Sequence, residues 1–205
     1  MGNASATLII ACGALAHEIV ALRKLNNWPH LEVQCLPADL HNHPEKIPQA
    51  VREKIRANRG SYASMFVAYA DCGTGGLLDA VLAEEQVERI AGAHCYEFFA
   101  GSAVFERLAE AEPGTFYLTD FLLRHFERLV IQGLGIDRHP ELMALYFGNY
   151  RKLVYLAQLE SPHKIADGQR AADRLGLVFE YRVTGYGELE HSLRRAGEGV
   201  IAWRN

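Results

Sequence analysis

The sequence predicts an α/β fold: a mostly parallel, Rossmann-like sheet in three layers, with helices on both faces and a small helical insert. Three observations carry this expectation. Short apolar runs alternate with stretches of helical period along most of the chain, the pattern of repeated strand-then-helix units. Several of those runs end at a glycine, where a chain can turn sharply out of a strand. The 205 residues, 49% hydrophobic and 22% charged, can bury a sizeable core, and they read as one domain over 1–205.

The elements follow in order. "TLIIACG" (7–13) is a buried first strand, and "ALAHEIVALRKL" is the helix after it. "LEVQCLPADL" (31–40) is a second strand. The next segment, "HNHPEKIPQAVREKIRAN", repeats Ile47, Val51 and Ile55 at helical spacing. "SMFVAYADCG" is a third strand, followed by a helix over 77–85. "RIAGAHCYEFFAG" holds a short fourth strand, and "SAVFERLAEAE" forms the next helix. "GTFYLTDFLLRHFERLVI" joins a strand start to a long helical period. "PELMALYFGNY" is a helical insert whose Tyr146, Phe147 and Tyr150 suit a homodimer face. "KLVYLAQL" is a strand, "HKIADGQRAADRLG" a helix and "LVFEYRVTG" the last strand.

Charge and hydropathy exclude some functions. A net charge of −4, with Lys and Arg scattered, lacks the basic face of a nucleic-acid binder. No apolar run approaches the roughly 20 residues of a membrane helix. The start, "MGNASATLIIACG", has no basic region ahead of its apolar run, so a signal peptide is not expected, and "MGNASA" fits a myristoylation pattern poorly. A cytoplasmic protein is expected, with its four cysteines reduced.

The chemistry gathers at strand ends. Cys12 in "IIACGAL", Cys72 in "AYADCGTGG" and Cys95 in "IAGAHCYEF" share that address, each near a glycine. Taken singly, a free cysteine is commonly a small buried hydrophobe, which suits Cys35. Three thiols on parallel strands, however, converge on one rim, where ligands of such sheets bind. Their neighbours are polar: Asp71 before Cys72, His94 before Cys95, Glu97 beyond it, and His41, Asn42 and His43 after the second strand. Thiolate and imidazole are the usual zinc ligands, and three protein ligands leave an open position for chemistry. Cys12, Cys72, Cys95 and His94 are the candidate metal ligands, with Asp71, Glu97 and His41 the candidates for orienting a ligand or moving a proton. The spacing is not that of a zinc ribbon. His94 and Cys95 can serve one metal only if the backbone turns between them, because adjacent strand residues face opposite ways.

"GTGG" leads into a helix, and its Gly73, Thr74 and Gly75 are candidate contacts for an anionic group. The lysine of a P-loop is missing, so a small carboxylate or oxyanion is as good a guest as a nucleotide. Tyr117, Thr119 and Asp120 end the fifth run and suit either the same rim or a helix N-cap. His139, in the turn "GLGIDRHPEL", is an outlying candidate.

The blocks "ACGAL", "LPADLHNHPEKI", "YADCGTGGLLD" and "GAHCYEFFAG", in this order, resemble the bacterial and archaeal family named domain of unknown function 1638. The resemblance runs from about Thr7 to Tyr181 and points to Cys12, His41, Cys72, His94, Cys95 and Glu97, leaving out Cys35 and His43. It implies no specific reaction. It implies a setting, corrinoid-dependent methyl transfer in one-carbon metabolism.

Four functions fit these residues. A zinc-thiolate enzyme would act on a small thiol or a methylated substrate, with a corrinoid protein as partner. Three cysteines would equally hold a [4Fe–4S] cluster with one iron open. A non-catalytic accessory protein for a small molecule or corrinoid is the third, and a metal-free cysteine nucleophile beside His94 or His41 is the fourth.

Overall fold

The computed structural model describes residues 5–198. It has the expected α/β class with all-parallel strands, but the strands divide between two sheets, one of four strands and one of three. Of the described residues, 5–98 with 186–198 form one compact unit and 99–185 form another.

The first unit is built on β1 (Thr7–Cys12), β2 (Leu31–Leu36), β3 (Ser64–Ala68) and β4 (Glu88–Arg89), ordered β2-β1-β3-β4. β1 is central and buried from Thr7 to Ala11, which is why its sequence is an unbroken apolar run rather than an alternation. β1 pairs in parallel with both neighbours, Ala11 lying opposite Cys35 of β2 and Ala68 of β3. The helices are α1 (Ala16–Leu25), α2 (Ile47–Asn58) and α3 (Leu77–Glu85), with α4 (Cys95–Ala100) starting in this unit and its last two residues counted in the second. Ile47, Val51 and Ile55 bury one stripe of α2, as their spacing predicts. They pack with Leu8, Ile10, Val67 and Leu78 into a core whose edge is formed by Cys12 and Cys72.

The second unit contains β5 (Thr115–Thr119), β6 (Lys152–Ala157) and β7 (Val178–Val183), ordered β5-β6-β7. Its helices are α5 (Ser102–Ala111), α6 (Asp120–Arg124), α7 (Leu142–Phe147) and α8 (Pro162–Leu175). The long helical period after β5 is broken: α6 ends at Arg124, and Glu127–Gln132 is π-helical. In the helical insert Phe147 points into the core, while Leu145, Tyr146 and Tyr150 are exposed. Phe147 is therefore a packing residue, and not part of an outer face.

α9 (Gly187–Gly197) belongs to the first unit and has no counterpart among the expected elements. Leu189, Leu193 and Ala196 bury its inner stripe. The expected second strand is shorter, since Ala38–Asn42 winds into a 3-10 helix. The expected fourth strand shrinks to two residues, and Cys95 opens a helix instead.

Candidate functional site

Four strand ends of the first sheet supply the residues of interest. Cys12 is the last residue of β1, and the β1–β3 ladder stops one pair earlier, at Ala11 and Ala68. A side chain at Gly13 would meet the Leu36 carbonyl at 2.9 Å, so glycine lets the β1 end pass close against the β2 end. His41 sits in the 3-10 turn after β2. Beyond β3 the chain runs through Tyr69 to Asp71 and Cys72, and beyond β4 it runs to His94 and Cys95. The last two stretches are stitched together: the Asp71 amide donates to the Gly92 carbonyl at 3.0 Å and the Cys72 amide to Ala93 at 2.8 Å.

The three thiols lie within electrostatic reach of one another. Cys12, Cys72 and Cys95 each feel the charge of the other two or are felt by them, so their sulfurs occupy one electrostatic neighbourhood. Each residue keeps some contact with solvent. Enough protein surrounds each sulfur, even so, that burial is the largest influence on all three. Burial pushes the Cys12 thiol up, and it pushes Cys72 up to about 12, helped by the nearby Cys12. Cys95 is raised well above its ordinary value, by burial first and then by Cys72 and Cys12. Arg89 works against this trend at Cys72. Cys35 is exposed and lies opposite Ala11, on the other face of the sheet from Cys12.

The backbone at this site is constrained. Cys72 has a φ of +52°, left-handed geometry that a non-glycine residue rarely adopts. Gly73, Gly75 and Gly76 continue at positive φ, which turns the loop back over the start of α3. The loop's own acid holds it. Thr74 donates its hydroxyl to Asp71 at 2.6 Å, and the amides of Gly75 and Gly76 donate to the same carboxylate at 3.1 and 2.9 Å. The Thr74 hydroxyl contributes most to holding the Asp71 carboxyl below its ordinary value, with those amides and Arg89 adding to it. These are among the groups that the sequence offered to an anionic guest; here the Asp71 carboxylate occupies them.

Glu97 acts similarly on the other loop. Placed in the first turn of α4, it accepts the Ala93 amide at 2.7 Å, much as the acid of a capping box reaches back. Its carboxylate lies over Gly92, where a Cβ would meet Oε2 at 3.0 Å. The backbone does turn at His94 and Cys95, because the helix begins there. The His41 pKa is lowered first by surrounding protein and then by His94, although the residue remains open to solvent. His43 pairs loosely with Glu45, away from this set.

Two contributors escape a reading of sequence. Arg89, on β4, grips Asp79 through two nitrogens at 2.6 and 2.9 Å, and its third nitrogen holds the carbonyls of Ile90 and Gly92 at 2.7 and 3.2 Å. It thereby anchors the loop that carries His94 and Cys95, and it puts a positive charge near Cys72 and Asp71. Tyr69 is 2% exposed, and its hydroxyl is buried without a hydrogen bond of standard geometry. Burial first, and then the Cys12 thiol, keeps the phenol protonated far above neutral pH. Arg89 looks like an ordinary charge at a strand, and Tyr69 like core.

Tyr117, Thr119 and Asp120 belong to the second unit. Thr119 is an N-cap, accepting the Leu122 amide at 3.4 Å. Asp120 accepts Tyr155 at 2.6 Å and the Gln158 amide at 3.3 Å, and pairs with Lys164. His139 is exposed beside Glu141.

The donor types at the first site, three soft thiols and an imidazole, fit zinc. Among the described residues, no three His, Cys, Asp or Glu side chains are already gathered to hold a metal ion. Also among them, no helix is long and apolar enough to cross a membrane.

A model of the family described as "Protein of unknown function (DUF1638)" matches residues 35–193. That stretch includes His41, Cys72, His94, Cys95 and Glu97 and begins after Cys12. No curated protein and no solved structure matches the chain.

Proposed function

The chain belongs to the DUF1638 family, and we propose that its cysteine cluster is a zinc-thiolate site of an enzyme acting on a small thiol or methylated substrate. One observation supports this above the rest: three thiols from separate strand ends share a neighbourhood in which Cys12 opposes the ionisation of Cys72, and both oppose that of Cys95. Burial, with repulsion added at Cys72 and Cys95, favours their protonated forms, and the charge of a bound divalent cation would favour the thiolates instead. Bound zinc would supply Lewis acidity that keeps a substrate thiol as thiolate at neutral pH.

The chain's own residues have distinct parts in this reading. Cys12, Cys72, Cys95 and His94 are the ligands. Asp71 and Glu97 have their carboxylates committed to backbone amides, so they hold the two ligand-bearing loops and move no proton. His41 is the remaining base, its pKa lowered by burial and by His94, and it takes the proton that a substrate thiol loses. A sulfur–carbon bond from the substrate thiolate then forms as the donor's bond to the methyl carbon breaks, with that bond's electron pair staying on the donor. The setting implied by the family resemblance makes that donor a methylated corrinoid protein in the cytoplasm.

The same cation argument applies to a [4Fe–4S] cluster, whereas the high thiol values disfavour a metal-free cysteine nucleophile. Elemental analysis and visible absorption of untagged protein purified without air separate these. About one zinc per colourless chain is expected. Brown protein containing iron identifies the cluster, and under a tenth of an equivalent of either metal ends the metal reading.

A further inference from the structure

We infer that β7 is a self-pairing edge, on which a second copy of this chain lays its own β7 antiparallel about a two-fold axis at Tyr181. β7 is the last strand of the β5-β6-β7 sheet, with β6 on one side and no strand on the other. Two bonds fix which groups face β6. The Val178 amide donates to the Arg151 carbonyl at 3.0 Å, and the Thr184 amide to Ala157 at 2.9 Å. Backbone groups alternate sides along a strand, so Val178, Glu180 and Arg182 bond to β6. Phe179, Tyr181 and Val183 turn their N–H and C=O groups outward, and among the described residues these have no backbone partner. Such a row of groups is a template for another strand.

Edge strands commonly carry charges that repel an added strand, and here the order of the charges decides what is repelled. Glu180 and Arg182 flank Tyr181 on one face, where the Arg182 Nε donates to Glu180. In a pair centred on Tyr181, Glu180 lies opposite the second copy's Arg182, and Phe179 opposite its Val183. The outward groups of Phe179, Tyr181 and Val183 then fall in the hydrogen-bonded positions, and the opposite charges in the closer positions between them. Moving the axis to Glu180 or to Arg182 sets like charges directly opposite each other, which is unfavourable. One register is therefore selected. Apolar surface is covered as well. Val183 is 53% exposed and shares a face with Phe179 and Tyr181, which pack on the core of the second unit. The pairing brings that valine against the second copy's Phe179. The interface is isologous, as a closed dimer requires. No residue of the cysteine site enters it.

Analytical ultracentrifugation of the full chain across concentration tests the pairing, with Arg182→Glu, Glu180→Arg and an equimolar mixture of the two. The unaltered chain is expected to dimerise below about 100 μM. Arg182→Glu gathers carboxylates across the seam and should weaken the dimer about tenfold or more. The mixture should associate more tightly than either variant alone, because each then meets its opposite charge. A chain still monomeric at about 100 μM overturns the inference. So does a dimer that Arg182→Glu leaves unchanged, which would place the contact on another face such as that of Leu145 and Tyr146, and so does a mixture no tighter than its components. If either variant fails to fold (Glu180→Arg gives up the Lys152 pair), hydrogen exchange of the unaltered chain decides. The amides of Phe179, Tyr181 and Val183 should exchange about tenfold more slowly in concentrated than in dilute protein, and unchanged rates overturn the pairing.

Discussion

Thr74 donates its hydroxyl to the Asp71 carboxylate at 2.6 Å, and the same carboxylate takes the amides of Gly75 and Gly76. The loop that carries Cys72 is thus folded around its own acid. Thr74 also receives the Leu78 amide at 3.3 Å, tying that acid to the first turn of α3.

Asp71→Ala leaves those donors without their acceptor. It should cost about 1–3 kcal/mol in urea unfolding, the range for orphaned hydrogen-bonding groups. Asp71→Asn keeps one acceptor oxygen and should cost less. If Asp71 were instead a free proton carrier, both substitutions would leave stability unchanged.

The left-handed φ of +52° at Cys72 is a second source of testable strain. Cys72→Gly should be more stable than Cys72→Ala by about 0.5–1 kcal/mol, because glycine adopts this geometry without a Cβ clash and loses part of the gain to chain entropy. Both variants should lose the metal. Differential denaturation of the two, compared directly, checks the backbone part independently of any chemistry.

Much of this was legible in the sequence, for identifiable reasons. The α3 boundaries and the Ile47, Val51 and Ile55 stripe of α2 follow from local periodicity, which a single element displays by itself. That Cys12, Cys72 and Cys95 lie at or just beyond the ends of β1, β3 and β4 follows from the order of strands and loops, which is topological. The division into two sheets was not legible, because an apolar run such as "TFYLT" does not say which strand it will pair with. Nor was α9, whose Leu189, Leu193 and Ala196 stripe follows the last strand. Side-chain commitments were hidden too. Asp71 and Glu97 look free in a sequence until the amides of Gly75, Gly76 and Ala93 are seen pointing at them.

Thiol reactivity gives a third prediction. A folded-state pKa raised above its unfolded value stabilises the metal-free protein fully below the ordinary thiol range, near pH 8.5, and that stability is lost as pH rises through the folded value. With Cys72 pushed up to about 12 and Cys12 and Cys95 also raised, the urea midpoint of metal-free protein should fall from pH 8.5 upward. Iodoacetamide should label Cys72 slowly at neutral pH. Rapid labelling at pH 6 would identify a low-pKa nucleophile and contradict this electrostatic account.

Carboxylates set the acid limit. Glu85 is gripped by Arg59 and Arg56 at 2.7 Å each, across α2 and α3, and Asp79 by Arg89. The Arg59 hydrogen bond leads in holding Glu85 below its ordinary value, and the Arg89 hydrogen bond does so for Asp79. Depressed values stabilise the fold above the unfolded carboxylate range, near pH 4, and the contribution disappears as pH falls through the folded values. Thermal unfolding followed from pH 6 to 2 should show the midpoint dropping below about pH 4, and Glu85→Gln should flatten that drop.

X-ray absorption at the metal edge, on untagged protein purified without air, tests the central claim most directly. The account predicts zinc with three sulfur neighbours at about 2.3 Å and one or more lighter ligands, and loss of a sulfur shell in Cys72→Ala. Zinc surrounded only by nitrogen and oxygen, or a sulfur shell unaffected by removing any of Cys12, Cys72 or Cys95, would contradict it.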